Sequence, residues 1–122
     1  MRNLGVVLYV DDEPINLKLF NIMFRGVYEI ITAESGTEAL QILDEQTEVS
    51  VVITDMKMPL MNGLEFVSAA RKIRADIPYF LLSGYGLTPE IEKALRLEWI
   101  DGYFQKPLKK SKIEDELSKY LP

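Results

Sequence analysis

Gly5-Val6-Val7-Leu8-Tyr9-Val10 is an unbroken apolar, β-branched run that stops abruptly at Asp11-Asp12. A strand with one wet face alternates apolar and polar residues; this run does not, so both its faces are buried, as in a parallel sheet. Val51-Val52-Ile53-Thr54, ending at Asp55, and Tyr79-Phe80-Leu81-Leu82, ending at Ser83, repeat the form. Tyr28-Glu29-Ile30-Ile31-Thr32-Ala33 and Ile100-Asp101-Gly102-Tyr103-Phe104 are less uniformly apolar, as edge strands tend to be.

Helical patterns fill the intervals. The first begins near Pro14, which suits a first helical position because its missing N–H has no partner there anyway. Leu17, Phe20 and Phe24, with Leu19 and Met23 beside them, give it an apolar stripe. Ser35 or Gly36 precedes a second, with Ala39, Leu40 and Leu43 at helical spacing; Gly63 opens a third, with Leu64, Val67 and Ala70 or Arg71 on one side. Thr88-Pro89-Glu90 combines a capping hydroxyl, a first-turn proline and an acid on the positive end of the helix dipole. The last helix starts at Ser111 or the lysines before it, with Ile113, Leu117 and Tyr120 or Leu121 inward. Five buried strands alternating with five helices call for a parallel sheet covered on both faces by right-handed crossovers. The expected class is α/β, a flavodoxin-like (βα)5 doubly wound fold with strand order 2-1-3-4-5, the order resting in part on the resemblance given below.

The chain's 122 residues fit one domain, 1–122, in which roughly two-thirds of the unfolded surface is buried. It has no cysteine and no histidine, which excludes thiol catalysis, disulfides, Cys- or His-ligated metals and Ser-His-Asp chemistry. Apolar runs fall far short of the roughly 20 residues that span a bilayer, and Met1-Arg2-Asn3 leads directly into the first strand without a signal-peptide layout. A cytoplasmic location is expected. A net charge of −5 argues against nucleic acid as the main partner. Lys106, Lys109, Lys110 and Lys112 form a small basic cluster, read mainly as solvated surface.

The informative feature is where the acids stand. Asp11 and Asp12 follow the first strand and Asp55 the third, at the carboxyl edge where ligands bind in open α/β sheets. Carboxylates converging there raise one another's pKa, so a positive group has to make the arrangement tolerable. All-oxygen ligation selects a hard cation, and few protein ligands suit Mg2+ better than Ca2+. Lys106 adds a positive charge and Ser83 a hydroxyl at the same edge. Taken singly, Asp-Asp before a helix is also an ordinary N-terminal cap, Asp55 a turn residue, and Lys106-Pro107 the start of a loop. Their coincidence at one edge weakens these separate readings and sets a metal-assisted phosphate site level with them.

Val10-Asp11-Asp12-Glu13-Pro14, Ala33-Glu34-Ser35-Gly36-Thr37-Glu38-Ala39-Leu40, Asp55-Met56-Lys57-Met58-Pro59-Leu60-Met61-Asn62-Gly63, Leu82-Ser83-Gly84 and Lys106-Pro107 occur in this order. With them the chain closely resembles the receiver domain of two-component response regulators over essentially its whole length. The resemblance implies that Asp55 is the phosphoacceptor and that Mg2+ is held by Asp11 and Asp12, one of the two through water, by Asp55 and by the backbone carbonyl of Lys57. It further implies that Lys106 pairs with a phosphoryl oxygen before a cis Lys106-Pro107 bond. The phosphoryl group would come from a histidine kinase or a histidine phosphotransfer protein, and the only catalytic act would be on the chain itself. Ser83 and Tyr103 resemble a switch pair acting on the face of helix 4, strand 5 and helix 5, and a phosphorylation-dependent homodimer is among the partners the resemblance allows. Lys57 and Tyr85, each two places beyond a site residue, stand where side chains tune hydrolysis of the acyl phosphate.

Three departures matter. Ser83 lacks the methyl of the threonine also common there, Gly84 replaces a usual alanine, and Glu98-Trp99 replaces the Gly-Ala that usually ends helix 4. The last implies that helix 4 ends or packs differently. The main alternative function is a small Mg2+-dependent phosphatase or phosphotransferase with an Asp nucleophile, although Asp11-Asp12-Glu13 lacks the Asp-x-Asp spacing of the haloacid dehalogenase type. A flavin-binding carrier is disfavoured by the acidic cluster, and a degenerate interaction-only receiver by the full set of site residues.

Overall fold

The computed structural model describes residues 4–121; Met1–Asn3 and Pro122, the ends of the expected domain, lie outside them. The element order is β1 (Val6–Val10), α1 (Pro14–Phe24), β2 (Glu29–Ala33), α2 (Gly36–Glu45), β3 (Val51–Asp55), α3 (Gly63–Ile73), β4 (Tyr79–Ser83), α4 (Pro89–Arg96), β5 (Gly102–Gln105) and α5 (Lys110–Leu117). All strand pairs are parallel and the sheet order is β2-β1-β3-β4-β5, as expected. No helix among the described residues is long and apolar enough to cross a membrane.

Two cores flank the sheet, and strand alternation deals residues between them. Val6, Leu8 and Val10 join Val52, Tyr79 and Leu81 beneath α2, α3 and α4, against Ala39, Leu43, Phe66, Val67, Ala70, Ile91 and Ala94. Val7 and Tyr9 join Val51, Ile53, Phe80 and Leu82 beneath α1 and α5, against Leu17, Phe20, Phe24, Ile113 and Leu117. The central strands β1, β3 and β4 are buried on both faces, which is why their sequences do not alternate.

Two expected core positions lie elsewhere. Leu19 is 53% exposed, on the outer side of α1, and Tyr120 is 45% exposed, its ring in a T-shaped contact with Phe80; Leu121 takes the inward place. The α1 stripe is therefore narrower than its apolar content suggests. Sequence reading also passed over Phe66, fully buried on α3.

Local chemistry fixes the helix starts. Ser35 Oγ accepts from the Glu38 N–H at α2, Thr88 Oγ1 from the Ile91 N–H at α4, and Asn62 and Glu65 cap α3 reciprocally. Helix α4 does not end differently from a glycine-terminated helix. Glu98 takes the left-handed conformation at φ 59°, the Trp99 N–H donates to the Ala94 carbonyl and the Glu98 N–H to Leu95. That pairing is a Schellman cap built on a non-glycine residue. Trp99 stays half-exposed, its carbonyl accepting from Arg71 Nε and its ring under Lys93 Nζ.

Candidate phosphoacceptor and metal site

The three acids sit where β1 and β3, neighbours in the sheet, reach their carboxyl ends. Ligand oxygens from Asp11, Asp12 and Asp55 all lie within 4.8 Å of one another. Asp11 is fully buried, Asp55 is 5% exposed and Asp12 is half-buried. The start of α3 lies close against the end of β3: the Gly63 N–H donates to the Met56 carbonyl, and a Cβ on Gly63 would fall 2.5 Å from the Asp55 carbonyl oxygen.

Lys106 reaches the cluster from the end of β5, placed by its backbone N–H on the Ser83 carbonyl and followed by a cis bond to Pro107, as expected. Its Nζ donates to Asp55 Oδ2 at 3.1 Å. Burial raises the Asp55 carboxyl above its ordinary value, and the Asp11 charge adds to this. Lys106, by hydrogen bond and charge, and the backbone N–H of Lys57 pull the other way. One ammonium faces three carboxylates, and burial still wins at Asp55, so the cluster is short of positive charge. A hard divalent cation would supply that charge, and an all-carboxylate donor set on one open edge fits it.

Ser83 is 3% exposed, and its hydroxyl is engaged in the turn that follows β4. Oγ donates to the Gly86 carbonyl at 3.0 Å and accepts from the Tyr85 N–H at 3.2 Å. Tyr103 is half-buried against the α2–α3–α4 core, on the same sheet face as Ser83. Lys57 and Tyr85 meet each other: the Lys57 Nζ stands 5.4 Å from the centre of the Tyr85 ring. Both border a cleft of about 580 Å³ that is also lined by Asp55, Ser83, Gly84, Thr88 and Lys106. Gly84 leaves that wall open, since a Cβ there would meet nothing closer than Lys106 Cδ at 4.0 Å. The remaining lysines of the basic cluster, Lys109, Lys110 and Lys112, are exposed.

Two residues of the site escaped the sequence reading. The Tyr9 hydroxyl donates to Asp11 Oδ2 at 2.9 Å and Asn16 Nδ2 to the same oxygen at 3.2 Å. The signal was present for Tyr9: strand alternation puts residues two apart on one face, and it is the one hydroxyl-bearing residue in the β1 run.

The response regulator receiver domain family matches residues 7–118. The transcriptional regulatory protein GlrR of Escherichia coli is 31% identical over 121 residues, covering 95% of this chain and 27% of its own length. The chain thus spans about a quarter of that regulator. Sporulation initiation phosphotransferase F of Bacillus subtilis is 30% identical over 117 residues, covering 95% of this chain and 93% of its own. The crystal structure of a response regulator receiver domain protein from Clostridium thermocellum superposes with a TM-score of 0.85 at 29% identity, covering 96% of this chain and 94% of that one. On this match, and on an acidic cluster at the carboxyl edge of a 2-1-3-4-5 sheet, the chain belongs to the response regulator receiver domain family, the phosphoacceptor module of two-component systems.

Proposed function

We propose that Asp55 accepts a phosphoryl group from a phosphohistidine, borne by a histidine kinase or a phosphotransfer protein, and that this is the chain's only catalytic act. The observation that carries this is the buried Asp55 carboxylate, 3.1 Å from Lys106 Nζ and within 4.8 Å of two further acids, at the floor of an open cleft. Asp11, Asp12, Asp55 and the backbone carbonyl of Lys57 would hold Mg2+. Bound there, the ion supplies charge neutralisation to the phosphoryl oxygens.

The chain's own groups do the rest. An Asp55 carboxylate oxygen attacks phosphorus while the P–N bond breaks; its electron pair returns to the imidazole nitrogen, which takes a proton from water. No base is needed, because the nucleophile is already an anion. Transfer passes through a loose transition state, so positioning and charge stabilisation decide the rate. Lys106 exchanges its bond to Asp55 for one to a phosphoryl oxygen.

Ser83 has to leave the Gly86 carbonyl to donate to the new oxygens. Tyr103, on the same face, turns toward the space so opened, and the α4–β5–α5 surface changes with it. Lys57 and Tyr85, in contact across the cleft mouth, hinder in-line attack by water and prolong the acyl phosphate. Beside the cleft, α1 turns Ile15, Leu19 and Ile22 to solvent at helical spacing, next to an apolar groove that runs to Lys106, Pro107 and Leu108. That surface suits a helical donor protein arriving with its histidine toward Asp55. The setting we infer is the cytoplasm, where such donors face their receivers.

Exposure to acetyl phosphate or phosphoramidate with MgCl2, followed by intact mass, tests the proposal. One added phosphoryl group, absent in Asp55→Asn, is expected. An Asp55→Asn chain that still gains it would move the acceptor elsewhere.

A further inference from the structure

Asp11 is held by more donors than a metal ligand needs merely to stay in place. Oδ2 accepts from the Tyr9 hydroxyl at 2.9 Å and from Asn16 Nδ2 at 3.2 Å, and Oδ1 accepts from the Glu13 N–H at 3.0 Å. A carboxylate offers about four lone-pair positions, two on each oxygen. Three are taken, and the one left is on Oδ1.

The donors differ in rigidity. The Tyr9 ring is fully buried and lies flat on Phe20, with ring centres 4.0 Å apart and planes 4° apart. Phe20 in turn packs on Phe24 at 4.7 Å. The hydroxyl therefore arrives from a fixed point in the α1–α5 core, whereas Asn16 arrives from the partly exposed first turn of α1.

We infer that Tyr9 and Asn16 are positioning residues that set metal selectivity. By filling Oδ2 they restrict Asp11 to meeting an ion, directly or through one of the ion's waters, at Oδ1 alone. This rests on the assignment of Asp11, Asp12 and Asp55 as the ion's ligands. The consequence follows from ion chemistry: Ca2+ takes six to eight oxygens and readily accepts both oxygens of one carboxylate, whereas Mg2+ demands a compact octahedron of single oxygens. An Asp11 with one free position serves the smaller ion and disfavours the larger.

The test compares apparent dissociation constants for Mg2+ and Ca2+, each read from the ion-induced rise in melting temperature at constant ionic strength. Tyr9→Phe keeps the ring stack and removes the donor. Its Mg2+ affinity is expected to fall about tenfold, the usual order for loss of a hydrogen bond to a metal ligand, while Ca2+ affinity holds or improves. Asn16→Ala should shift the Mg2+/Ca2+ preference the same way from a site tolerant of substitution. Phe20→Leu loosens the stack but leaves the hydroxyl; it should lower the melting temperature and shift the preference by less than Tyr9→Phe. An unchanged preference in Tyr9→Phe and Asn16→Ala overturns the inference alone, as does an equal loss in Phe20→Leu. A parent chain that Mg2+ does not stabilise overturns the ligand assignment and the inference with it.

Discussion

Gly63→Ala adds one carbon at the point where fold and chemistry touch. The new Cβ would stand 2.5 Å from the Asp55 carbonyl oxygen and 2.9 Å from Met56 Cα, both backbone atoms that no rotamer change can move aside. Restoring ordinary contact near 3.4 Å requires the start of α3 or the end of β3 to give way by about 0.9 Å. Overpacking of this kind costs about 1–3 kcal/mol, which for a chain of this size lowers Tm by roughly 4–12 °C. If β3 yields, the residue displaced is the proposed nucleophile, and a shift approaching 1 Å slows a positioned reaction by up to ~100-fold. Thermal melting and the rate of phosphoryl uptake from acetyl phosphate at saturating Mg2+ measure the two effects on one sample. Gly84→Ala is the internal control: its Cβ meets only Lys106 Cδ at 4.0 Å, so stability and rate should stay near parental values. Parental Tm and rate in Gly63→Ala, or equal harm from Gly84→Ala, would refute the close approach of α3 to Asp55 as what positions the carboxylate.

Further predictions are independent of that contact. Because folding raises the Asp55 carboxyl above its ordinary value, the folded chain holds that proton more tightly than the unfolded one. Stability contributed by this group is therefore lost as pH rises from the ordinary carboxylate range through the raised value. Without divalent ions, Asp55→Asn should melt higher than the parent at pH 7 and remove that part of the decline; a parental pH profile would contradict this. Glu98→Gly relieves a left-handed non-glycine cap and should gain about 1 kcal/mol, or ~4 °C in Tm, in thermal melts. Lys57→Ala and Tyr85→Ala should each hasten phosphate loss from the phosphorylated chain; an unchanged half-life in both would discard the shielding role.

The strands and the acids at their ends were legible from short-range signals, and the strand order in part from the family resemblance. Buried parallel strands write continuous apolar runs, and Asp11, Asp12 and Asp55 stand at their ends, where topology alone brings them together. Side-chain direction within α1 was less legible, since Ile15, Leu19, Ile22 and Met23 make nearly its whole circumference apolar and periodicity cannot choose a face. The α4 terminus is legible in its packing, with the Trp99 ring under Lys93, and not in its ending. A missing glycine signals strain, yet the cap's hydrogen bonds from Glu98 and Trp99 hold the left-handed turn regardless. Leu60, at φ 69° with its side chain wholly in solvent, carries no sequence signal at all. The hydroxyl of Ser83 was placed at the right edge, but its bond to Gly86 depends on the path of the β4–α4 turn, which residue types do not specify.

The most direct test is chemical trapping of the acceptor. Borohydride reduces an aspartyl phosphate to homoserine, so the phosphorylated chain, reduced, digested and sequenced by mass spectrometry, should carry homoserine at position 55 and aspartate at 11 and 12. Homoserine at 11 or 12, or its absence from all three positions in a chain that has gained phosphate, would contradict Asp55 as the nucleophile.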